Sequence, residues 1–212
     1  LHRFAANTAV GGSAVIRSIA GKIAILIATV LLSACTTPES DLVVAPQPLH
    51  LSRAPAYQLQ GHLGLDLRAL HDGVVVRQKT SFTGSEYRLA EASRRTMADA
   101  AKHLFTQTTE ILPESTRKYP RGYFDIVIQP RAKNIAVTRT DDNKVIVSMV
   151  FELTYHSGRG KLLGSETLPG EGSTQGSLIP QPADTKRAIA AALENMGRRF
   201  VEDVPNSKFI GG

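Results

Sequence analysis

Lys144-Val-Ile-Val-Ser-Met-Val-Phe-Glu-Leu-Thr-Tyr-His156 is the stretch on which the fold turns. Val145, Val147, Met149, Phe151, Leu153 and Tyr155 occupy every second position, and Ser148, Glu152, Thr154 and His156 fall between them. Successive side chains of a strand point to opposite faces, so the run reads as a strand with one apolar and one mostly polar face. A sheet built on such a strand needs a second layer over its apolar side.

Reading outward, Thr140-Asp-Asp-Asn143 is a turn. Before it, Phe124, Ile126 and Ile128 alternate with polar neighbours; Pro130 then interrupts, and Ile135-Ala-Val137 resumes the pattern. This predicts a long strand with a bend or bulge. On the other side Ser157-Gly-Arg-Gly160 makes a second turn, and Lys161 to Glu171 supplies a weaker strand that gives way to a loop over 170–181. Three strands joined by short turns make a meander.

Two segments carry helical period. Leu89, Met97, Ala101, Leu104, Thr108 and Ile111 fall near one face with Arg94, Arg95, Asp99 and Lys102 opposite, predicting a helix over 89–112 that Pro113 ends. Pro182-Ala-Asp184 opens a second, in which Ile189, Leu193, Met196 and Phe200 are spaced four, three and four, and Pro205 closes it. Near the start, Leu63, Leu65 and Leu67 alternate with Gly64, Asp66 and Arg68, and Val74-Val-Val76 follows the turn His71-Asp-Gly73, which predicts a hairpin. The order ββαβββα gives an α+β domain over 57–204. It is a two-layer sandwich with a mostly antiparallel sheet backed by two helices. Residues 205–212 form a C-terminal tail.

The first part of the chain has a different grammar. Arg17 to Lys22 is cationic, Ile23 to Ala34 is an apolar run of 12 residues, and Ser33-Ala34 supplies small residues before Cys35. That order is a signal peptide, and the run is short of the roughly 20 residues that a helix needs to cross a bilayer. The stretch ahead of Arg17 is long for a leader; Val15 is a candidate initiator, and residues 1–14 are expected to have no structural role. After Cys35, Thr36-Thr-Pro-Glu-Ser-Asp41 and Ala45-Pro-Gln-Pro48 read as a flexible tether over 35–56.

Leu32-Ser33-Ala34-Cys35 resembles the lipobox of bacterial lipoproteins at all four positions. The resemblance implies that Leu32, Ser33 and Ala34 are recognised by the signal peptidase and that Cys35, the residue after the cut, receives diacylglycerol and palmitate. In that family's sorting rule an aspartate after the cysteine retains the protein in the inner membrane. Thr36 stands there instead, which implies the periplasmic face of the outer membrane of a Gram-negative bacterium. The order of elements is similar to that of small periplasm-facing envelope lipoproteins, such as the LPS-assembly lipoproteins and the ABC-transport auxiliary lipoproteins.

Composition narrows the classes of function. A chain of 212 residues that is 42% apolar and 21% charged is neither disordered nor polytopic. The formal charge of +6 invites a nucleic-acid reading. Arg3, Arg17 and Lys22 belong to the leader, however, so 22 of the 25 basic residues remain against 19 acidic ones, with no dense basic run between aromatics. No nucleic-acid partner is expected. With one cysteine no internal disulfide can form.

Catalytic groups do not converge in the sequence. His50, His62, His71, His103 and His156 show no zinc spacing; Asp141-Asp142-Asn143 lacks the closing glutamate of a calcium loop; Gly158-Arg-Gly-Lys161 lacks the rest of a phosphate loop. Gly170-Glu-Gly-Ser-Thr-Gln-Gly176 has its serine offset from a nucleophile turn. The expectation is therefore a non-enzyme without metal or cofactor, held to the membrane by its N-terminal lipid. It would scaffold or assist an envelope complex through a protein partner. A carrier of lipid or another apolar ligand, and an enzyme whose site forms only on folding, are the alternatives.

Overall fold

The computed structural model describes residues 40–50, 58–71, 74–79, 84–179 and 181–210. Leu32, Ser33, Ala34 and Cys35, with the whole leader, lie outside the described residues. One compact unit spans residues 40–212. Its strands are β1 (Ser40–Val43), β2 (Leu59–Asp66), β3 (Val75–Lys79), β4 (Gly84–Arg88), β5 (Phe105–Ile111), β6 (Ile126–Arg139), β7 (Lys144–Ser157) and β8 (Leu162–Gln175). Its helices are α1 (Ala90–Leu104) and α2 (Pro182–Asp203), the second followed by a single 3-10 turn, Val204–Asn206. The architecture is α+β, as expected.

A five-stranded sheet runs in the order β5-β2-β6-β7-β8. The meander β6-β7-β8 is antiparallel throughout, in strands of 14 residues each, whereas β2 lies parallel to both its neighbours. The alternation along β7 is the one read in the sequence: Val145, Val147, Met149, Phe151, Leu153 and Tyr155 are all buried, and the intervening positions face outward. Ile189, Leu193, Met196 and Phe200 of α2, with Met97, Ala101 and Leu104 of α1, join those side chains in one core. Asn143 adopts a left-handed φ of 64° in the turn between β6 and β7, where asparagine is tolerated better than most residues.

The structure corrects four details. The expected hairpin over 63–80 does not form, because both edges of β2 are taken by β5 and β6. β3 pairs instead with β4 in a separate sheet of order β1-β4-β3. The helix expected over 89–112 stops at Leu104, and Phe105-Thr-Gln-Thr-Thr-Glu-Ile111 becomes β5 alongside β2. β-branched threonines favour a pleated surface, and the edge of β2 supplies the partner. The expected loop over 170–181 is strand as far as Gln175. In β6 the bulge falls at Lys133, between the pairs Ala132–Phe151 and Asn134–Val150, while Pro130 keeps its place opposite Leu153. β2 pairs only with Ile126 to Ile128, so among the described residues no strand pairs with that edge of β6 at Pro130, which is where proline is tolerated.

Both flanks of the domain are more docked than their composition suggested. Within the segment read as tether, β1 pairs in parallel with β4, Val44 is buried, and Leu49 packs against Gly197 of α2. In the tail, the Phe209 ring lies 5.2 Å from that of Tyr155 and covers Gly164. Among the described residues no helix is long and apolar enough to cross a membrane.

Candidate functional site

At one end of the sheet the segment 112–125 folds back over β2. Tyr119, Tyr123, Phe124 and His62 form a cluster whose ring centroids stand 4.9 to 5.2 Å apart. Gly64 on β2 makes room for it: a Cβ there would lie 2.9 Å from the Phe124 ring. Phe124 is buried and Tyr123 is partly exposed, so the cluster has a fixed base and an open rim. The Arg117 guanidinium sits 5.2 Å from the Tyr119 ring centroid, a cation–π distance. The segment is pinned at its end, where the Asp125 carboxylate accepts the His62 backbone N–H at 2.7 Å.

The fold draws the candidate histidine His62 into a group. Its Nε2 lies 2.8 Å from Thr109 Oγ1 on β5. That is the reach of a base on a hydroxyl, but no carboxylate among the described residues bonds the other ring nitrogen to orient it. The remaining histidines are dispersed. His103 Nδ1 contacts the Asp99 carbonyl on its own helix at 2.7 Å, His50 and His71 are exposed, and His156 faces the outer side of β7. No group of His, Cys, Asp and Glu among the described residues could hold a metal ion.

Beside the cluster, Asp66 ends β2 with its carboxylate nearly buried. Arg68 Nε and a terminal guanidinium nitrogen donate to its two oxygens at 2.8 and 2.7 Å, and Gln129 Nε2 reaches it from β6 at 3.4 Å. Gln129 thus ties the end of β2 to β6, through a carboxylate that the Arg68 fork holds in place. The carboxylate in turn raises the Arg68 guanidinium pKa above its ordinary value, chiefly through the hydrogen bond.

A second concavity lies on the outer side of α2. Val44, Ala45 and Pro48 form one wall and Ala190 and Ala191 the other, with His50, Lys186, Arg187 and Glu194 at the rim. It is an open cleft of about 510 Å³, within the range of small-molecule sites, with an apolar floor and a charged rim. It is lined by the segment 44–50 and by α2, and by no strand of the five-stranded sheet.

The aromatic cluster was legible in the sequence only as its raw material, Tyr119-Pro-Arg-Gly-Tyr-Phe124. Nothing local announces that this segment lies over Gly64 and His62, which are some sixty residues earlier.

No protein-family model matches the chain, and no curated protein matches it significantly. Solved structures do. A Xanthomonas campestris protein assigned to the family model DUF330 superposes with a TM-score of 0.51, at 10% identity over 76% of this chain and 92% of that one. A minor lipoprotein from Acinetobacter baumannii gives 0.43 at 9% identity, over 68% and 90%. The PelC dodecamer from Paraburkholderia phytofirmans gives 0.30 at 14%, over 70% and 95%. The likeness to the Xanthomonas campestris protein is one of fold.

Proposed function

We propose that this chain is a lipid-anchored outer-membrane lipoprotein, facing the periplasm, that acts as a non-enzymatic scaffold or assembly factor of an envelope complex. The observation that carries the reading is Leu32-Ser33-Ala34-Cys35, set behind a cationic and apolar leader and ahead of a compact unit that spans residues 40–212. Each buried acyl methylene contributes about 0.8 kcal/mol, and one chain alone anchors marginally, so the several chains of a lipoprotein cysteine make attachment stable. Thr36 after the cysteine supports the outer membrane over the inner.

The scaffold part of the reading is supported by the surfaces. The cluster around Tyr123 offers rigid aromatic area with a basic neighbour in Arg117, the residue types enriched where proteins meet. The cleft along α2 keeps a carrier of an apolar ligand as a second reading.

Two measurements test this. Labelled palmitate should be incorporated into the wild-type chain and not into Cys35→Ala; labelling of the variant removes the lipoprotein reading. Crosslinking in intact cells, followed by purification of a tagged chain, should then yield a fixed set of envelope proteins that Tyr123→Asp reduces. Co-purifying lipid with no protein would replace the scaffold with the carrier.

A further inference from the structure

One end of the domain gathers features that the sequence keeps far apart. The turn Thr140–Asn143 joins β6 to β7 there, and the chain leaving β8 is fastened beside it. The Asn143 carbonyl accepts the Gly176 N–H at 2.9 Å, and Arg139 donates to the Ser177 carbonyl. The loop that follows carries Leu178 and Ile179, 87% and 77% exposed, the two most exposed large apolar side chains among the described residues. Ser40 belongs to this same end. It pairs with Ser85 on β4, Ser85 pairs with Gln78 on β3, and Gln78 Oε1 accepts the Thr185 hydroxyl at 2.9 Å at the start of α2, the helix that the loop leads into.

Covalent geometry then limits where this end can be. Five residue steps separate Cys35 from Ser40, and a fully extended chain advances about 3.3–3.6 Å per residue, so the span is at most about 18 Å. The opposite end of the 14-residue strands, with Tyr123, is about 45 Å further off at roughly 3.3 Å per residue.

We infer that the Leu178-Ile179 tip is a second membrane contact, inserting into the bilayer to which the Cys35 lipid anchors the chain. The inference rests on the lipoprotein reading. Two adjacent side chains are too small a patch for a stable protein interface, but apolar groups at a tip suit the boundary between headgroups and acyl chains. Asp141 and Asp142 on the neighbouring turn oppose a strongly anionic surface, so the fitting surface is zwitterionic phospholipid. A second contact close to the first fixes the direction of the domain, because the tether keeps the local concentration of membrane high. The aromatic cluster then projects away from the bilayer.

The chain contains no tryptophan, so one substitution creates a unique fluorophore. Leu178→Trp and, separately, Tyr123→Trp are made in the full chain, matured in a Gram-negative host, purified and reconstituted into vesicles of phosphatidylcholine brominated on its acyl chains. Both positions are solvent-accessible, and unchanged circular dichroism confirms that the fold is kept. The expected result is emission shifted to the blue and severalfold stronger quenching at 178 than at 123. A chain that takes up labelled palmitate and floats with the vesicles, yet shows position 178 quenched no more than position 123, overturns the inference alone. A chain that takes up no palmitate overturns the lipoprotein reading, and the second contact falls with it.

Discussion

A Cβ built on Gly172 would stand 2.4 Å from the carbonyl oxygen of Ala188, and 2.1 Å from the backbone nitrogen of Ala192. Strand β8 and helix α2 therefore meet backbone to backbone, with Gly170 and Gly172 on one side and Ala188 and Ala192 on the other. Obstruction by backbone cannot be relieved by turning a side chain. Gly172→Ala should force α2 outward and cost about 3 kcal/mol, at the upper end of overpacking effects. Urea unfolding reads this directly, and Ser173→Ala, one position along on the exposed face, should change the midpoint little.

The same contact explains what the sequence conceals. The Gly-rich run 170–176 has the composition of a loop, and only the helix lying across it makes glycine the residue for a strand there. β7 and α2 were readable because each declares its period over several turns or pairs with its own side chains. Phe105 to Ile111 was not, since Leu104, Thr108 and Ile111 also continue the stripe of α1. What decides for strand is the free edge of β2, more than forty residues away. β1 was hidden for a related reason. Four residues beside a proline-bearing segment read as tether until β4 offers an edge. The candidate site fared worst, because a cluster whose rings come from two segments some sixty residues apart has no spacing to recognise.

Asp184 should make the stability of the β8–α2 connection depend on pH. Its carboxylate accepts the Ser177 backbone N–H at 2.8 Å and the Arg187 guanidinium at 2.6 Å. The Ser177 hydrogen bond holds its pKa below the usual carboxylate value, against burial, which pushes it up, and the Arg187 hydrogen bond adds to the lowering. A depressed pKa contributes stability that is present above the ordinary aspartate value of about 3.9 and is lost as pH falls through the folded value. Asp184→Asn should thus cost about 1 kcal/mol at pH 7 and progressively less below about pH 4, as the wild-type group also becomes neutral. Denaturant midpoints of the two proteins across that range check the convergence.

Alkali should expose a second buried network. The Tyr155 hydroxyl donates to Glu166 Oε2 at 3.3 Å, and the Ser207 hydroxyl donates to Oε1 at 3.0 Å. Burial, and then the Glu166 charge, push the Tyr155 phenol well above the ordinary tyrosine range. The neutral phenol is favoured in the fold, so its contribution is present below about pH 10 and is lost as the pH rises beyond that. The Tyr155 phenol should fail to ionise in a spectrophotometric titration until the protein unfolds. Tyr155→Phe should remove that late step at a cost of about 1 kcal/mol.

The fork between Arg68 and Asp66 separates two accounts of why β2 ends where it does. If the ion pair merely decorates the surface, as the 58% exposure of the Arg68 side chain allows, Arg68→Ala should cost well under about 1 kcal/mol. The Asp66 side chain is only 7% exposed, however, and without Arg68 its charge keeps only the Arg68-position backbone N–H at 3.2 Å and Gln129 at 3.4 Å. Stranding a nearly buried carboxylate is the costlier event, so Arg68→Ala should lose about 2 kcal/mol. Arg68→Lys should restore only part of it, since an ammonium cannot fork. The decisive comparison is the double variant Asp66→Asn with Arg68→Ala. With no charge left to strand, it should be more stable than Arg68→Ala alone, and strict additivity of the two substitutions would mean that the fork does not hold this corner of the sheet.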